Sequence, residues 1–569
     1  ERGMRQMNAP FTQLLEGDSE ALSGQIIPIY PSTEGLAQGW IRRIIGQALE
    51  QVGELEEVLP DELRKRHGMR TFSEALLAVH NPRSVEDAAA ARNRIAYQEL
   101  FELSLCNAAR RLKDSEEADG FAHTIDSELF EKGHDVIGVT LTPDQSRALE
   151  DIVADMQRPS PMQRLLIGDV GTGKTFVALF ALLMAVSSNT QAAMMAPTEV
   201  LAKQYAEKIG PLLDKLDIAW ALLTSSLNAQ ERNDAYARLA SGEVAVAFGT
   251  HALIQEAVVF DNLTLAIIDE QHRFGVEQRL KFRYKAQVSP DMLAMTATPI
   301  PRSLALTVFG DLDISTLHTR PIAGSGVRTH MRPLGKVWQA HEAVKRDLAK
   351  GQQAFIVCAL IDESTKLEVN AATALAEQLA RDEYRDHRVA LLHGALKPAE
   401  KDAIMEQFRA GQIDVLVATT VIEVGVDIHN VTQMIIYNAE RFGLAQLHQL
   451  RGRVGRGAIP GEVWLVSDGR SSGAKQRFEA LCSTDDGFEL ADIDLALRGA
   501  GDMLGTRQHG AVSFRVADLS RDLPIIELAQ RDVAELMDDD PHLQRPQHAL
   551  LKNRLELLQE VYETWVSAG

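Results

Sequence analysis

Between about Thr140 and Arg470 short apolar runs alternate with amphipathic stretches. The first set reads "RLLIGD", "AAMMAP", "EVAVAFGT", "LTLAIIDE" and "DMLAMTAT". The alternation pauses near Asp311 to Arg332, then resumes with "QAFIVCAL", "RVALLHG", "DVLVATT", "QMIIYNAE" and "EVWLVSDG". Strand-then-helix repetition predicts a parallel sheet covered by helices, and the pause predicts two such α/β domains in tandem. Before them, "STEGLAQGWIRRIIGQALEQVGELEEVLPDELRKRHG" has helical periodicity, with Ser32 at its start and Leu36, Trp40, Ile44 and Leu49 near one face. A second helical stretch, "SVEDAAAARNRIAYQELFELSLCNAARRLKD", runs to about Asp114, and the polar "SEEADG" after it predicts a linker. After about Arg470 the strands stop, and helices surround one glycine-rich loop, "LRGAGDMLGTRQHG". The expected divisions are 1–30, 31–114, 115–318, 319–468 and 469–569.

Composition narrows this picture. The chain has 569 residues, too many for one hydrophobic core, with 45% apolar and 24% charged residues, as in ordinary globular proteins. Its formal net charge is −21, so contact with nucleic acid has to come from local grooves rather than from global attraction. Three separated cysteines, Cys106, Cys358 and Cys482, argue against a disulfide framework or zinc site and for a reducing compartment. The most apolar stretch, "FVALFALLMAV" from Phe176, is about half a membrane span and reads as a buried helix. Glu1 opens the chain without a methionine, which reads as a fragment or a processed form.

Chemistry enters at "GDVGTGKT", Gly168 to Thr175, which fits G-x-x-x-x-G-K-[ST] between an apolar strand and a helix. Gly168, Gly171 and Gly173 let backbone N–H groups approach phosphate oxygens, and the helix N-terminus adds a favourable dipole. Lys174 would hold the terminal phosphates and Thr175 would ligate magnesium. "LTLAIIDEQH" ends a strand in Asp269 and Glu270. The first carboxylate can hold the metal, and the second can orient and deprotonate a water. Gln145, just before the first helix of this domain, can read an adenine edge with its donor and acceptor. The bland alternatives are a glycine-rich turn, a solvated strand end and an exposed glutamine.

These residues and others come in a known order. "GDVGTGKT", "APTEVLAKQ" (196–204), "GTHALIQ" (249–255), "DEQHRFG" (269–275), "TATPIPR" (296–302), "TTVIEVGVD" (419–427) and "QLHQLRGRVGRG" (446–457) resemble the motifs of a superfamily 2 helicase. The whole is most similar to the RecG family of bacterial ATP-dependent DNA helicases, over nearly the full chain, "IPIYPSTEG" at 27–35 included. The transcription-repair coupling factor shares the motor and the "LRGAG" loop but departs where Gln271 stands. The family carries an N-terminal wedge with an OB fold. "RGMRQMNAPFTQLLEG" resembles only its last strand, so 1–30 is expected to be a remnant of it.

The resemblance implies two RecA-like domains with ATP and Mg2+ between them, an N-terminal helical linker and a helical C-terminal translocation module. The first domain would contribute Gln145, Lys174, Thr175, Asp269 and Glu270, with Gln271 and His272 relaying to the DNA side. The second would contribute Gly425, Asp427, Gln449, Arg453 and Arg456. "TATP" (296–299) would sense the phosphate state. DNA phosphates would be gripped by Thr198, Glu199, Thr250, His251, His393, Thr419 and Thr420 without reading sequence. Arg498, Arg507 and Gln508 would do so from the glycine-rich loop, in which the family expects a serine near His509. Implied partners are branched DNA (forks, Holliday junctions, R-loops) and single-stranded-DNA-binding protein. A monomer, no membrane, and a cytoplasmic, nucleoid-associated setting go with them.

Placed on a helix at about 100° per residue, Leu447, Leu450 and Val454 share one side of the last motif, and Gln446, Gln449, Arg453 and Arg456 another. Arg453 and Arg456 then match the arginine fingers that neutralise γ-phosphate charge, and Arg451 falls to a structural or DNA-side contact. The expectation is an ATP-driven duplex translocase and branch-migration helicase. A nucleotide-gated clamp that does not step is the alternative from another class, and an RNA helicase is disfavoured by the "DEQH" and "LRGAG" wording.

Overall fold

The computed structural model describes residues 26–31, 35–117, 119–269, 282–283, 285–308, 310, 312–320, 326–358, 365–419, 428–457, 459–469, 472–498 and 514–567. The chain divides into two compact units, Asn107–Ala511 and a discontinuous one made of Glu1–Cys106 with Val512–Gly569.

The larger unit holds two sheets. The first contains β1 (Gln163–Gly168), β2 (Gln191–Met195), β3 (Trp220–Leu223), β4 (Val246–Gly249), β5 (Leu263–Asp269), β6 (Asp291–Thr296) and β7 (Asp313–Leu317). The second contains β8 (Val327–Arg332), β9 (Gln353–Cys358), β10 (Val389–Leu392), β11 (Val415–Ala418), β12 (Val431–Tyr437) and β13 (Gly461–Val466). Their orders are β3-β4-β2-β5-β6-β1-β7 and β10-β11-β9-β12-β13-β8. Each recorded pairing is parallel. Parallel sheets need cover on both faces, and every residue of β2, β4, β5 and β6 is buried. The helix Lys174–Ser187 buries Val177 to Ala185 without a break, because it lies inside the first domain's core. Among the described residues no helix is long and apolar enough to cross a membrane.

The pause at Asp311 to Arg332 is not strand-free. It contains β7 and β8, which are edge strands of the two sheets. An edge strand is covered less, so "DISTL" and "VRTHMR" carry polar residues that hide the apolar run. β3, also at an edge, is only half buried for the same reason.

The smaller unit is helical. Helices Gln38–Val52, Asp61–Arg66 and Phe72–His80 and the first part of Val85–Glu117 fold with Leu523–Asp539 and Ala549–Ser567. The buried Asp532 accepts from Tyr97 Oη (2.5 Å) and lies 2.8 Å from His67 Nε2. Glu99 accepts backbone N–H bonds from Arg515, Val516 and Ala517 at 3.0, 3.0 and 2.8 Å. The first helix starts at Gln38 and buries no residue, leaving Trp40 60% and Ile44 51% exposed, so its apolar face is not a core face within the described residues. Ser32 lies outside the described residues. Helices Ser472–Ser483 and Gly487–Arg498 instead dock Phe478, Leu481 and Leu490 against the second sheet's core. The stretch 469–569, expected to be one module, is thus shared between the two units.

Candidate nucleotide and nucleic-acid site

In a parallel sheet the strand C-termini share one edge, where ligands bind. In the first sheet the phosphate loop follows β1, Asp269 ends β5, and Thr296 ends β6, which lies between them. Gly171 and Gly173 have φ of +85° and +78°, so a side chain at either would strain the loop. A Cβ on Gly168 would lie 2.5 Å from Thr172 Oγ1. Gly173 is the N-cap of the following helix and offers no side chain, which leaves the first N–H groups available to an anion. Lys174 Nζ donates back to the carbonyls of Gly168 (2.6 Å) and Asp169 (3.1 Å). Thr175 follows in the first turn of that helix.

Gln145 is fully buried. Its Oε1 accepts from Thr142 N (2.8 Å) in a capping box, and its Nε2 donates to the phosphate-loop carbonyl of Thr172 (2.8 Å). Each end of the amide makes one internal bond, which ties the helix start to the phosphate loop and uses one of its two N–H groups and one of its two lone pairs. Asp269 is 5% exposed and accepts from Tyr205 Oη at 2.5 Å. Thr296 Oγ1 accepts from Thr298 N (3.2 Å), and Thr298 Oγ1 accepts from Gln449 Nε2 of the second domain (2.9 Å).

The helix carrying Gln449 spans only Leu444–Arg451. Gly452 caps it, and a Cβ there would meet Val170 at 3.2 Å, while Gly455 turns the chain with φ +68°. The helical projection therefore fails for Arg453 and Arg456, which lie beyond the helix. Arg456 Nε donates to the carbonyl of Gly452 (2.8 Å). Arg451 is buried, donates to the carbonyls of Leu481 and Thr484 (2.8 Å each) and pairs with Asp485 at 3.1 Å, a structural set of contacts.

Asp169 stands between the domains. Its carboxylate accepts from His448 Nε2 (2.8 Å) and Arg320 Nη2 (2.8 Å). Burial raises its pKa, but the His448 bond and the Arg320 charge outweigh this and hold it at about 2.

The nucleic-acid candidates also gather at strand C-termini. Thr198 follows β2 and Thr250 and His251 follow β4, which are adjacent. Thr198 Oγ1 caps the helix Glu199–Asp214 by accepting from Leu201 N (3.3 Å), and Glu199 accepts from Ser225 N (3.0 Å). Both side chains thus have structural partners. His251 is exposed and Thr250 half-buried. In the second sheet His393 follows β10 and Thr419 follows β11, its adjacent strand, and Thr419 N donates to Leu392 O (3.2 Å). Thr419 is 4% exposed. Glu270, Gln271, His272, Thr420, Gly425, Asp427, Arg507, Gln508 and the side chain of Arg498 lie outside the described residues.

Known proteins share this arrangement. A Bacillus subtilis (strain 168) ATP-dependent DNA helicase RecG is 43% identical over 539 residues, 93% of this chain and 78% of the relative. The chain belongs to the RecG family of ATP-dependent DNA helicases. A Synechocystis RecG is 40% identical over 96% of this chain, which spans 66% of that relative's length. A solved RecG bound to a three-way DNA junction matches with a TM-score of 0.67 and 38% identity, over 88% of this chain and 66% of that one. Family models match at 142–307 (DEAD/DEAH box helicase), 336–458 (helicase conserved C-terminal domain) and 484–568 (RecG, domain 3, C-terminal). The two sheets are therefore the paired RecA-like domains of a RecG-family protein, and the family is a nucleotide-using one. Within this RecG-family site, sequence reasoning passed over Tyr205, Arg320, Asp169 and His448. Asp169 and His448 sit inside quoted motifs, but nothing in one dimension tells that they meet.

Proposed function

We propose that the chain hydrolyses ATP to step along duplex DNA, and so remodels stalled forks and branch-migrates Holliday junctions. The observation that carries this is the convergence of the phosphate loop, Asp269 and Thr298 at neighbouring strand ends, with Gln449 reaching Thr298 from the second RecA-like domain at 2.9 Å. A link between the domains at the nucleotide site is what a hinge-type cycle requires. In this reading Lys174 leaves the loop carbonyls for the terminal phosphates, and Arg453 and Arg456 neutralise charge from across the cleft. Glu270 takes the proton of the attacking water. Gln145 holds the loop in register and meets adenine with its second N–H and second lone pair.

Magnesium fits the donors present. The Thr175 hydroxyl and Asp269 carboxylate are hard oxygen ligands, and magnesium keeps water and phosphate oxygens in its remaining positions, so no larger carboxylate cluster is needed. Among the described residues no group of three or more His, Cys, Asp or Glu forms one. When bound, the ion supplies charge neutralisation on the phosphates.

Thr198, Glu199, Thr250, His251, His393, Thr419 and Thr420 belong to the DNA-facing strand ends of this reading, with Arg498, Arg507 and Gln508 on the translocation loop. The proposal extends, through the family likeness, to a cytoplasmic monomer working with single-stranded-DNA-binding protein. The divisions 31–114, 115–318 and 319–468 stand in it as linker, first and second motor domain. The test is ATP turnover with and without forked duplex DNA, with Glu270→Gln as control. Wild-type turnover should rise several-fold with DNA, and the control should lose nearly all of it. Turnover indifferent to DNA would sink the motor and leave a nucleotide-gated clamp.

A further inference from the structure

Phosphate binding uses the backbone of the phosphate loop and Lys174, which leaves the Asp169 carboxylate for another task. That carboxylate is 5% exposed and accepts from Val170 N (2.6 Å), Arg320 Nη2 (2.8 Å) and His448 Nε2 (2.8 Å). His448 lies on the helix Leu444–Arg451, five residues before Arg453. Its tautomer is fixed from the other side of the ring. Arg451 Nη2 lies 2.8 Å from Nδ1, and a guanidinium can only donate. Nδ1 must therefore accept, so Nε2 carries the hydrogen that meets Asp169.

The contact is closed over by the helix Gly487–Arg498. A Cβ at Gly487 would lie 2.7 Å from His448 Nε2, 3.1 Å from Asp169 Cγ and 2.5 Å from Pro299 Cγ. Asp169 also meets the nucleotide side through its backbone, since its carbonyl accepts from Lys174 Nζ (3.1 Å) and Thr172 Oγ1 (2.9 Å). A phosphate that draws Lys174 away acts on the very residue that holds His448.

We propose that the Asp169–His448 bond couples the phosphate loop to the arginine-bearing loop, with His448 a positioning residue that sets where Arg453 and Arg456 stand when ATP binds, on the reading that these arginines serve hydrolysis. Removing the bond separates nucleotide binding from turnover. The test uses the full chain with saturating forked duplex and reads kcat together with affinity for fluorescently labelled ADP. His448→Ala lowers kcat at least tenfold while ADP affinity stays within twofold. His448→Gln, whose amide N–H can reach Asp169, recovers most of the loss. Unchanged kcat in His448→Ala, or ADP affinity falling in step with kcat, overturns the coupling. Wild-type turnover unmoved by DNA overturns the motor reading instead, and the His448 comparison is then made on basal turnover. Should His448→Ala not fold, Gly487→Ala wedges a methyl onto the same bond. Lowered kcat with retained ADP affinity then supports the coupling, and unchanged kcat overturns it.

Discussion

Arg451, Arg453 and Arg456 lie within six residues and do different things. Arg451 is locked into carbonyls of the next helix pair, whereas Arg456 follows a glycine turn and donates Nε to Gly452 O. On the proposed reading a planar fork keeps that backbone bond while turning other N–H groups to a phosphate, and lysine has no such fork. Arg456→Lys should therefore lose most ATP turnover, at least tenfold, in a steady-state assay; near-normal turnover would refute the role. Asp169 gives a second prediction. Its pKa of about 2 lies below the ordinary carboxylate range, so its contribution is fully present above about pH 4. It is lost as pH falls towards 2 and amounts to on the order of 2 kcal/mol. Thermal melting of wild type and Asp169→Asn should show a gap that narrows over that window and stays constant above it. The partnership of Asp169 with His448 was not legible in the sequence. The two are 279 residues apart, and hydrogen bonds across such a distance leave no periodic trace.

Elements were legible where burial is complete and obscure where it is partial. β5 and β6, buried at each position, are plain apolar runs. β7 and β8 mix polar and apolar residues because each has an open edge, and the sequence reading saw only a pause there. The helix Leu444–Arg451 was read too long for another reason. Apolar spacing continues through Val454, which is buried, but Gly452 and Gly455 end the helical geometry first. The opposite case is the helix Pro143–Met156, whose start is written in "TPDQ". Thr142 caps it, Pro143 sits at its first turn, and Gln145 completes the box. Thr142→Ala should cost about 1 kcal/mol, seen as a lowered melting temperature. It should also weaken nucleotide affinity, because Gln145 holds both the cap and Thr172 O. A stability loss with unaltered affinity would separate the two.

For the molecule as a whole, the balance of 59 basic against 80 acidic residues limits how DNA can be held. Grip through hydroxyls and backbone N–H groups releases few counterions. The slope of log K against log salt for duplex binding should accordingly be shallow, no steeper than about −3, where each lysine or arginine contact adds about −0.9. A slope near −8 would show that cationic side chains dominate after all. The division of the chain bears on its synthesis rather than its binding. Helices around Tyr97 fold against Asp532 and its neighbours, with Asn107–Ala511 in between. A ribosome adding about 5–20 residues per second needs roughly 20–80 s to pass from Cys106 to Val512, where the rest of the unit begins. Until then the Tyr97 hydroxyl, His67 and Glu99 wait for the partners they have in the folded unit, Asp532 and the backbone of 515–517, while the motor between them is still being made.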